Sequence, residues 1–453
     1  MENVATHTLS TICAISTPYG CGGIAVVRVS GTEAIAIADR LFHGRKSLAQ
    51  TQANTVHYGE IQRQGEVLDE VLVTVFHAPH SFTGEDVVEI ACHGSLYIQQ
   101  TLLQWLIDEG CRMARAGEFT QRAFLNAKMD LTEAEAVADL IASQTKAEKD
   151  LALSQLRGGI SGELAELRDK LLEFTSLIEL ELDFADHEEL EFVDRTQLSE
   201  LARQIEQRLT TLTESFHTGN AIKHGIPVAI VGATNVGKST LLNALLGEER
   251  AIVSDVQGTT RDTIEDTLVI QGVLFRFIDT AGLRDTQDVV ESIGIERTLQ
   301  AARKAQIIID VIDPTQPVDR LQDMPEFKEK TIIRVLNKAD LIPPSSDINI
   351  PVQLTISAKH GEVEPIKQAL VHEARSLINT NNAVTISNAR HYEALTRALR
   401  AIQCVQQGLQ QQLSNELLSL DLQDCLRALG EITGQITSQE VLNNIFAKFC
   451  IGK

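Results

Sequence analysis

Aromatic residues are scarce in this chain, at 4% of 453 residues with a single tryptophan. This scarcity argues against a platform of aromatic side chains that stacks on single-stranded nucleic acid. No apolar run is long enough to cross a bilayer, since the longest strong one, at residues 307–311, has the length of a strand. Residues 1–10 lack the basic region and apolar core of a secretory signal. We therefore expect a cytoplasmic protein without a membrane segment.

Positively charged residues are also outnumbered by negatively charged ones. The chain has 40 Lys and Arg against 62 Asp and Glu, for a formal net charge of -22. An overall field of this sign does not hold nucleic acid, so contact with RNA must come from a local basic patch or from a partner. The seven cysteines are scattered and form no C-x-x-C pair, which indicates a reduced compartment and no zinc site.

The residue pattern changes three times along the chain. Short β-rich runs, such as residues 23–29, punctuate residues 1–125 and predict an α+β domain. Leucines at spacings of three and four predict long amphipathic helices over residues 126–220. Residues 221–376 alternate buried-strand runs with helical patterns, as in a mostly parallel sheet covered on both faces. Helical patterns return over residues 377–453.

The predicted architecture is therefore multidomain, combining α+β and α/β domains with a helical domain. The helical domain is built from two separated stretches, and the α/β domain is inserted between them, as is well tolerated where chain ends lie close together. The strands predicted for the inserted domain are residues 226–231, 274–278, 307–312, 332–336 and 352–356.

The inserted domain carries a P-loop, Gly-Ala-Thr-Asn-Val-Gly-Lys-Ser, from Gly232 to Ser239. It follows a buried-strand run and leads into a helix predicted to begin near Lys238, which is the context that phosphate binding requires. Backbone N–H groups of the loop and of the helix N-terminus are expected to hold the β-phosphate. Lys238 would contact the β- and γ-phosphates, and the Ser239 hydroxyl would bind magnesium. By itself the motif indicates a nucleotide and leaves the base open.

Three further motifs follow in order: Gly-Thr-Thr-Arg-Asp at 258–262, Asp-Thr-Ala-Gly at 279–282 and Asn-Lys-Ala-Asp at 337–340. Thr260 is placed to reach magnesium and the γ-phosphate as a switch residue. Asp279 would aim its carboxylate at the water shell of the metal, and the Gly282 N–H can donate to the γ-phosphate. This order of motifs predicts binding and hydrolysis of GTP with magnesium.

The last motif selects the base. Asp340 can accept two hydrogen bonds from the guanine N1–H and 2-amino group, an arrangement that adenine cannot offer. Asn337 suits the N7 edge of the purine, and the stem of Lys338 can cover the ring. Ser-Ala-Lys at 357–359 would complete the pocket through backbone N–H donation to the guanine oxygen. The predicted GTP-binding residues are Asn235, Val236, Gly237, Lys238, Ser239, Thr240, Ser254, Asp255, Val256, Gln257, Gly258, Thr259, Thr260, Asp279, Thr280, Ala281, Gly282, Asn337, Lys338, Ala339, Asp340, Ser357, Ala358 and Lys359.

The predicted hydrolytic machinery departs from that of many small GTPases. Leu283 follows Asp-Thr-Ala-Gly where those proteins carry a glutamine, and an alkyl chain cannot align the attacking water. No arginine finger is assigned either, so the charge that develops in the transition state needs another cation. Asn235 could coordinate a monovalent cation beside the phosphates.

Nearly the whole chain resembles the tRNA uridine modification GTPases of the MnmE, or TrmE, type. Besides the GTPase motifs, residues 117–126 and 130–137 look like the junction between the N-terminal and helical domains of that family, and residues 449–453 match its C-terminal signature. The resemblance implies a homodimer that acts with a flavin-containing partner of the MnmG type. Together they would modify the wobble uridine of certain tRNAs at carbon 5, with FAD bound to the partner.

The resemblance also implies roles in hydrolysis. Potassium would replace an arginine finger, and Glu291 would orient the attacking water, which supplies what Leu283 lacks. The alternative for Glu291 is a solvated carboxylate at a helix start. The implied potassium ligands are Asn235, Ser254, Val256 and Thr259, the magnesium ligands are Ser239 and Thr260, and the catalytic residues are Glu291, Lys238, Thr260 and Gly282.

A tetrahydrofolate one-carbon donor, in the 5-formyl or methylene form, would bind the N-terminal domain. The implied folate residues are Arg28, Glu85, Lys128 and Lys453. A carboxylate can pair with a pterin ring and cations can meet the folate carboxylates, although each residue alone would suit a surface ion pair. Cys450 is a candidate nucleophile or simply a small apolar residue.

Three positions depart from the family pattern. Thr234 and Ala116 stand where the family has proline, and Ser95 stands where a second glycine is common. The absence of proline at these two positions changes the stiffness of the loops and removes no group that takes part in the chemistry. Ser95 would alter folate affinity if its position requires positive φ or close approach of the ligand.

Two rival functions differ in what they require. A regulatory or ribosome-assembly GTPase switch would need neither the C-terminal signature nor the folate residues. A prenylated signalling GTPase is excluded, because Gly452 is not aliphatic and no basic stretch precedes Cys450.

Overall fold

The computed structural model describes residues 10–183, 195–247, 265–278, 299–314, 327, 330–341, 352–378 and 384–452. The chain divides into two compact units. The first consists of Met1–Ala138, Gln155–Arg168 and Leu426–Lys453, and the second of Asp139–Ser154 and Asp169–Cys425. Within the described ranges, every helix is too short or too polar to span a membrane.

A seven-stranded sheet lies in the first unit, in the order β3-β4-β5-β6-β2-β1-β7. Its strands are β1 (Ile12–Ile15), β2 (Gly22–Ser30), β3 (Phe42–Gly44), β4 (Thr55–Arg63), β5 (Glu66–Phe76), β6 (Val87–Gly94) and β7 (Arg112–Met113). All neighbours pair antiparallel except β1 and β7. Helices α1 (Ala34–Leu41) and α2 (Leu96–Asp108) contribute buried side chains to a core with the strands. The predicted α+β domain is confirmed.

The opposite face of this sheet is only partly covered. Near β1 and β2 it carries a small apolar cluster that includes Ala14, Ala114 and Phe119. Helix α3 (Glu118–Leu125) supplies Phe119 to that cluster and leads to α4 (Leu131–Ala142). Farther along β4 and β5, apolar side chains on this face are exposed to solvent.

A six-stranded sheet forms the centre of the inserted domain, in the order β13-β12-β11-β8-β10-β9. Its strands are β8 (Ile226–Val231), β9 (Asp266–Ile270), β10 (Val273–Phe277), β11 (Ile307–Ile312), β12 (Thr331–Leu336) and β13 (Leu354–Thr355). Only β9 is antiparallel to its neighbour. The mostly parallel sheet predicted from the sequence is therefore confirmed, and β11 is buried along its whole length, as a sheet covered on both faces requires.

Helices make up most of the remaining described chain, in both units. The helices after α4 are α5 (Lys146–Leu156), α6 (Gly159–Asp183), α7 (Arg195–His224), α8 (Lys238–Gly247), α9 (Glu364–Ile378), α10 (Ala389–Gln410), α11 (Asn415–Thr433) and α12 (Gln439–Phe446). Phe216 of α7 stacks on Tyr392 of α10, with ring centroids 4.4 Å apart. Helix α7 leads into β8 through Gly225, which has a φ of +79°, and α9 returns the chain toward α10. The GTPase-like domain is thus inserted into the helical domain.

Candidate functional site

The P-loop connects the end of β8 to the start of α8. Gly232 and Gly237 have φ values of +143° and +102°, which only glycine adopts readily. A Cβ on Gly232 would lie 2.3 Å from the Val311 carbonyl oxygen, and one on Gly237 would lie 2.3 Å from Asn337 Nδ2. Both glycines are therefore required by close packing as well as by backbone conformation.

Lys238, the first residue of α8, turns its ammonium group back into the loop. Nζ donates to the carbonyl oxygens of Gly232 and Ala233 at 2.9 and 2.8 Å. Burial lowers the pKa of Lys238 below its ordinary value. An ammonium group has three donors, so this cation can add a phosphate oxygen to its partners. Ser239 follows in the first helical turn, where backbone N–H groups have no partner within the helix.

Asn337 joins the P-loop to the base-selecting segments. Its Nδ2 donates to the Val236 carbonyl oxygen at 2.8 Å, and its Oδ1 accepts from the Ala358 N–H at 3.0 Å. Only 3% of the residue is exposed. The amide thus holds three separate segments in register.

Asp340 lies at the surface beside Ser357. The Ser357 hydroxyl donates to Oδ1 at 2.7 Å, and this hydrogen bond lowers the pKa of Asp340. The carboxylate is therefore ionised and fixed in direction. Nearby, Lys338 has a φ of +60°, and its Nζ donates to Asp313 Oδ2 at 2.7 Å. That ion pair anchors the lysine stem in an extended position.

These segments follow β8, β12 and β13, which are parallel. Their carboxyl ends lie at one edge of the sheet, the usual ligand-binding edge of such folds. The structure therefore brings together the predicted residues at 235–240, 337–340 and 357–359. The other predicted nucleotide-site residues lie outside the described ranges: Ser254, Asp255, Val256, Gln257, Gly258, Thr259, Thr260, Asp279, Thr280, Ala281, Gly282, Leu283 and Glu291.

In the first unit, Glu85 is the centre of a second polar cluster. Its Oε2 accepts from the Ser30 hydroxyl at 2.7 Å. Arg122 Nη1 donates to both carboxylate oxygens, at 3.1 and 3.0 Å. The Glu85 side chain remains 16% exposed, so these contacts do not enclose it completely.

Arg28 lies two residues before Ser30 on β2, hence on the same face of the sheet. Its guanidinium carbon is 5.3 Å from the Phe82 ring centroid and 5.6 Å from that of Phe119, within reach of a cation–π interaction. Arg28 also forms an ion pair with Glu89 at 2.7 Å. The predicted residues Arg28 and Glu85 are therefore in one neighbourhood.

Lys128 lies beside the same loop. Its stem packs close to Gly84, where an added Cβ would be 3.2 Å from Lys128 Cγ. Its Nζ donates to the Pro79 carbonyl oxygen at 3.0 Å. Lys128 is thus held next to Glu85 through the backbone of the loop.

The chain end docks onto the same unit. The Gly117 N–H donates to the Cys450 carbonyl oxygen at 3.4 Å, and the Ser16 hydroxyl donates to the Gly452 carbonyl oxygen at 3.1 Å. Gly452 has a φ of +96°, and a Cβ there would lie 2.2 Å from the Ile15 carbonyl oxygen. The tail therefore lies against the end of β1, the strand next to Arg28. Cys450 is exposed, and Lys453 lies outside the described residues.

Sequence reasoning missed several members of this cluster. Arg122, Ser30 and the two phenylalanines under Arg28 were not predicted as site residues. The one signal for Arg122 was its place inside the Gly-Glu-Phe-Thr-Gln-Arg segment at 117–122. Ser30 has no such signal, because it is an ordinary residue at a strand end.

Two family models match the chain. One, described as the MnmE helical domain, matches residues 131–450, and one, described as the GTP-binding protein TrmE N-terminus, matches residues 11–128. A tRNA modification GTPase MnmE from Parabacteroides distasonis is 54% identical, covering 98% of this chain and 100% of that protein. One of the same name from Flavobacterium johnsoniae is 51% identical, covering 98% and 99%. Among solved structures, the G domain of the T. maritima FeoB iron transporter is 24% identical over 33% of this chain and 98% of that one, with a TM-score of 0.25.

Proposed function

Because this chain belongs to the MnmE family of tRNA modification GTPases, we propose that it hydrolyses GTP to drive the modification of the wobble uridine of certain tRNAs at carbon 5. The group added is carboxymethylaminomethyl or aminomethyl. The observation that carries the proposal is the joining of the P-loop to the guanine-selecting segment by Asn337. Phosphate and base recognition are thereby built into one rigid edge of the sheet.

The described residues have distinct tasks in this site. Backbone N–H groups at the start of α8 and the Lys238 ammonium hold the phosphates, because both are positive donors at one point. Asp340 accepts from the guanine N1–H and 2-amino group, and Ser357 keeps it pointed at them. Asn337 meets the N7 edge, and the Lys338 stem covers the ring.

The residues present fit a magnesium ion bound jointly with the nucleotide. Among the described residues there is no cluster of three or more His, Cys, Asp or Glu side chains able to hold a metal. Magnesium usually takes one or two protein oxygens plus phosphates and water, which suits the single Ser239 hydroxyl in the first turn of α8. Thr260 would be the second protein ligand. When bound, the metal neutralises charge on the phosphates.

We propose that GTP hydrolysis depends on a potassium ion that binds beside the P-loop. Asn235 is exposed and has a φ of +65°, so its side chain stands free of the loop core. Its amide oxygen can bind a monovalent cation beside the phosphates, with Ser254, Val256 and Thr259 as the further ligands. We assign orientation of the attacking water to Glu291, and contacts with the transferred phosphate to Thr260 and Gly282.

The Glu85 cluster is proposed to bind a tetrahydrofolate derivative. Its donor set fits the ligand, since a held and partly exposed carboxylate accepts pterin N–H groups. The Arg28 guanidinium, backed by Phe82 and Phe119, offers a flat cationic surface for an aromatic ring. Lys128 and Lys453 would meet the folate carboxylates. When bound, the folate supplies the one-carbon unit.

A homodimer is proposed through the sheet face that carries Arg28. Val56, Tyr58 and Leu72 are 58%, 63% and 49% exposed, and Tyr58 pairs directly with Leu72 across β4 and β5. Adjacent exposed apolar residues of this kind mark interaction surfaces. A second copy would cover them.

We further propose a flavin-containing partner of the MnmG type, with FAD on that partner, and a cytoplasmic location. The net charge of -22 disfavours tRNA binding by this chain's overall field. A partner that carries positive charge would supply much of the tRNA contact.

The alternative is a GTPase switch without modification chemistry, and one experiment separates the two. Mass spectrometry of tRNA nucleosides from cells lacking this protein is expected to show loss of the wobble uridine modification. Restoration by the wild-type chain, and failure of restoration by Lys238→Ala, would connect the modification to GTP hydrolysis. Normal modification without the protein would favour the switch.

A further inference from the structure

The carboxylate of Glu85 is held from behind by a buried arginine. The Arg122 side chain is 3% exposed. Besides its two contacts with Glu85, it donates through Nη2 to the Ser10 carbonyl oxygen at 2.7 Å and to Glu118 Oε1 at 3.3 Å. One guanidinium thus joins the loop that carries Glu85 to helix α3 and to the segment before β1.

Glu118 in turn fixes Arg122. Its side chain is also 3% exposed, and it accepts from the Arg115 N–H at 2.9 Å and from Arg112 Nη1 at 3.0 Å. A carboxylate with this many donors does not rotate freely. Arg122 is therefore held in its orientation, because turning the buried guanidinium would break its ion pairs with Glu85 and Glu118 together.

Other side-chain contacts in the loop that carries Glu85 act mainly on its backbone; the Ser81 hydroxyl, for example, donates to the Glu85 carbonyl oxygen at 2.6 Å. Ser30 contacts both Glu85 and Thr83, and Asn126 Nδ2 donates to the Thr83 carbonyl oxygen at 2.7 Å. These bonds hold the backbone of the loop and one carboxylate oxygen. Among the described side chains, Arg122 is the one that contacts both oxygens, through Nη1, and it thereby fixes the direction of the carboxylate, while the Ser30 contact with Oε2 limits its rotation.

We propose that Arg122 is a positioning residue for the folate site: it holds the Glu85 carboxylate in the direction in which it meets the ring N–H groups of the ligand, with Glu118 as the anchor of Arg122. This inference rests on the folate function proposed above. Arg122 itself is screened from the ligand, since its side chain is 3% exposed and both of its Nη groups donate to Glu85, Ser10 or Glu118. A hydrogen-bonding edge of a pterin requires a carboxylate in its plane, so a rotated carboxylate would lose part of the interaction.

The test measures binding of 5-formyltetrahydrofolate to the full chain by calorimetry. Arg122→Lys keeps the charge, but the three donors of one ammonium nitrogen cannot serve the four acceptors that Arg122 reaches through Nη1 and Nη2: both Glu85 oxygens, the Ser10 carbonyl oxygen and Glu118 Oε1. It is expected to weaken binding about tenfold, as the loss of one charge-assisted hydrogen bond would. The matched control is Arg112→Lys, because Arg112 also binds Glu118 but does not contact Glu85. Its affinity is expected to stay within about twofold of wild type.

A double-mutant cycle separates positioning from general damage to the fold. In a Glu85→Gln background, Arg122→Lys is expected to change affinity by less than about twofold, because there is no carboxylate left to position. Equal losses in both backgrounds, or equal losses in Arg122→Lys and Arg112→Lys, would overturn the positioning role and leave the folate site standing. If the wild-type chain does not bind 5-formyltetrahydrofolate, the folate function and this inference both fail.

Discussion

Asn337 Nδ2 donates to the Val236 carbonyl oxygen at 2.8 Å, across a separation of 101 residues in the chain. Val236 belongs to the P-loop and Asn337 to the base-selecting motif, so the two halves of the nucleotide site cannot move independently. The same amide binds the Ala358 N–H through its other end. Any change at Asn337 should therefore affect phosphate and base recognition together.

Asn337→Ala is expected to weaken GTP and GDP binding alike and to destabilise the second unit. The Val236 carbonyl and the Ala358 N–H would be left without their partner in a buried position, which costs about 1 to 3 kcal/mol each. Calorimetric nucleotide titration and chemical unfolding measure the two effects. Wild-type stability with weakened binding would mean that these two hydrogen bonds add little to the stability of the unit and that Asn337 acts mainly on the ligand.

Asp340→Asn is expected to change the preferred base from guanine to xanthine. An asparagine presents an amide donor where guanine also presents donors, so GTP affinity should fall about 100-fold or more. A xanthine nucleotide, which has a carbonyl in place of the 2-amino group, should then bind better than GTP. Competition between the two nucleotides for the variant is the measurement. Unchanged preference for GTP would remove Asp340 from the base pocket.

Glu118 predicts a pH dependence for the stability of the first unit. Burial by itself raises the pKa of Glu118, but the hydrogen bonds and charges of Arg112, Arg115 and Arg122 bring it down to about 2 from 4.5. Because the pKa of this carboxyl is lower in the folded than in the unfolded state, its ionised form stabilises the folded unit. This stabilisation is fully present above pH 4.5 and is lost as the pH falls toward 2. The full contribution is about 3 kcal/mol, and Glu118→Gln should remove it at neutral pH.

Glu200 provides the control for that experiment. Hydrogen bonds from Arg203 and Gln204 also lower its pKa to about 2, yet the pair is exposed on a helix surface. Glu200 lies in the second unit, and solvent screens such pairs, so Glu200→Gln is expected to leave the unfolding free energy of that unit unchanged. The free energy of unfolding, measured in denaturant between pH 7 and pH 3, should depend less on pH than in the wild-type chain for Glu118→Gln, and should keep the wild-type dependence for Glu200→Gln. Equal profiles for both variants would contradict the buried network.

Gly452→Ala is expected to release the chain end from the first unit. The added Cβ would meet the Ile15 carbonyl oxygen, and the φ of +96° is unfavourable for alanine. Affinity for 5-formyltetrahydrofolate should fall, because the described chain end that leads to the proposed folate residue Lys453 would be displaced from Ser16 and Ile15. Gly162→Ala is the control, since a Cβ there meets nothing within 4 Å. It should bind folate normally and gain helix stability of about 0.5 to 1 kcal/mol.

Potassium should accelerate GTP hydrolysis, and Asn235→Ala should abolish the difference between potassium and sodium buffers. The physical reason is that the amide oxygen supplies a ligand for the monovalent cation that takes the place of an arginine finger. Glu291→Ala should slow hydrolysis by at least about 100-fold, with nucleotide binding near normal. Equal rates of the wild-type chain in the two salts would contradict the cation mechanism.

Strands with continuous apolar runs could be predicted well from the sequence. The predicted bounds of 226–231 and 307–312 agree with β8 and β11, because both strands are buried on both faces. The edge strands of the sheet were harder to predict from the sequence. Strand β9 was not predicted, since it is short and pairs antiparallel with β10 through the Gln271–Gly272 turn, whose residues both have positive φ. Strand β13 is shorter than predicted, at Leu354–Thr355.

The end of the last helix shows the influence of tertiary contacts. The helical pattern continues to Phe449, but α12 ends at Phe446. Phe446 and Phe449 both pack into the cluster around Leu131, and the chain then turns so that residues 450–452 lie against β1. A docking site made elsewhere in the chain decided where this helix stops.

The sequence by itself determined the nucleotide chemistry, because each GTPase motif is contiguous and its backbone groups and side chains act from adjacent positions. Only the tertiary structure decided that Ser30, Glu85 and Arg122 meet. Their contacts bridge 55 and 37 residues and follow no helical or strand period. The physical reason is that a buried charge must find its partner wherever packing places one, and that requirement leaves no regular trace along the chain.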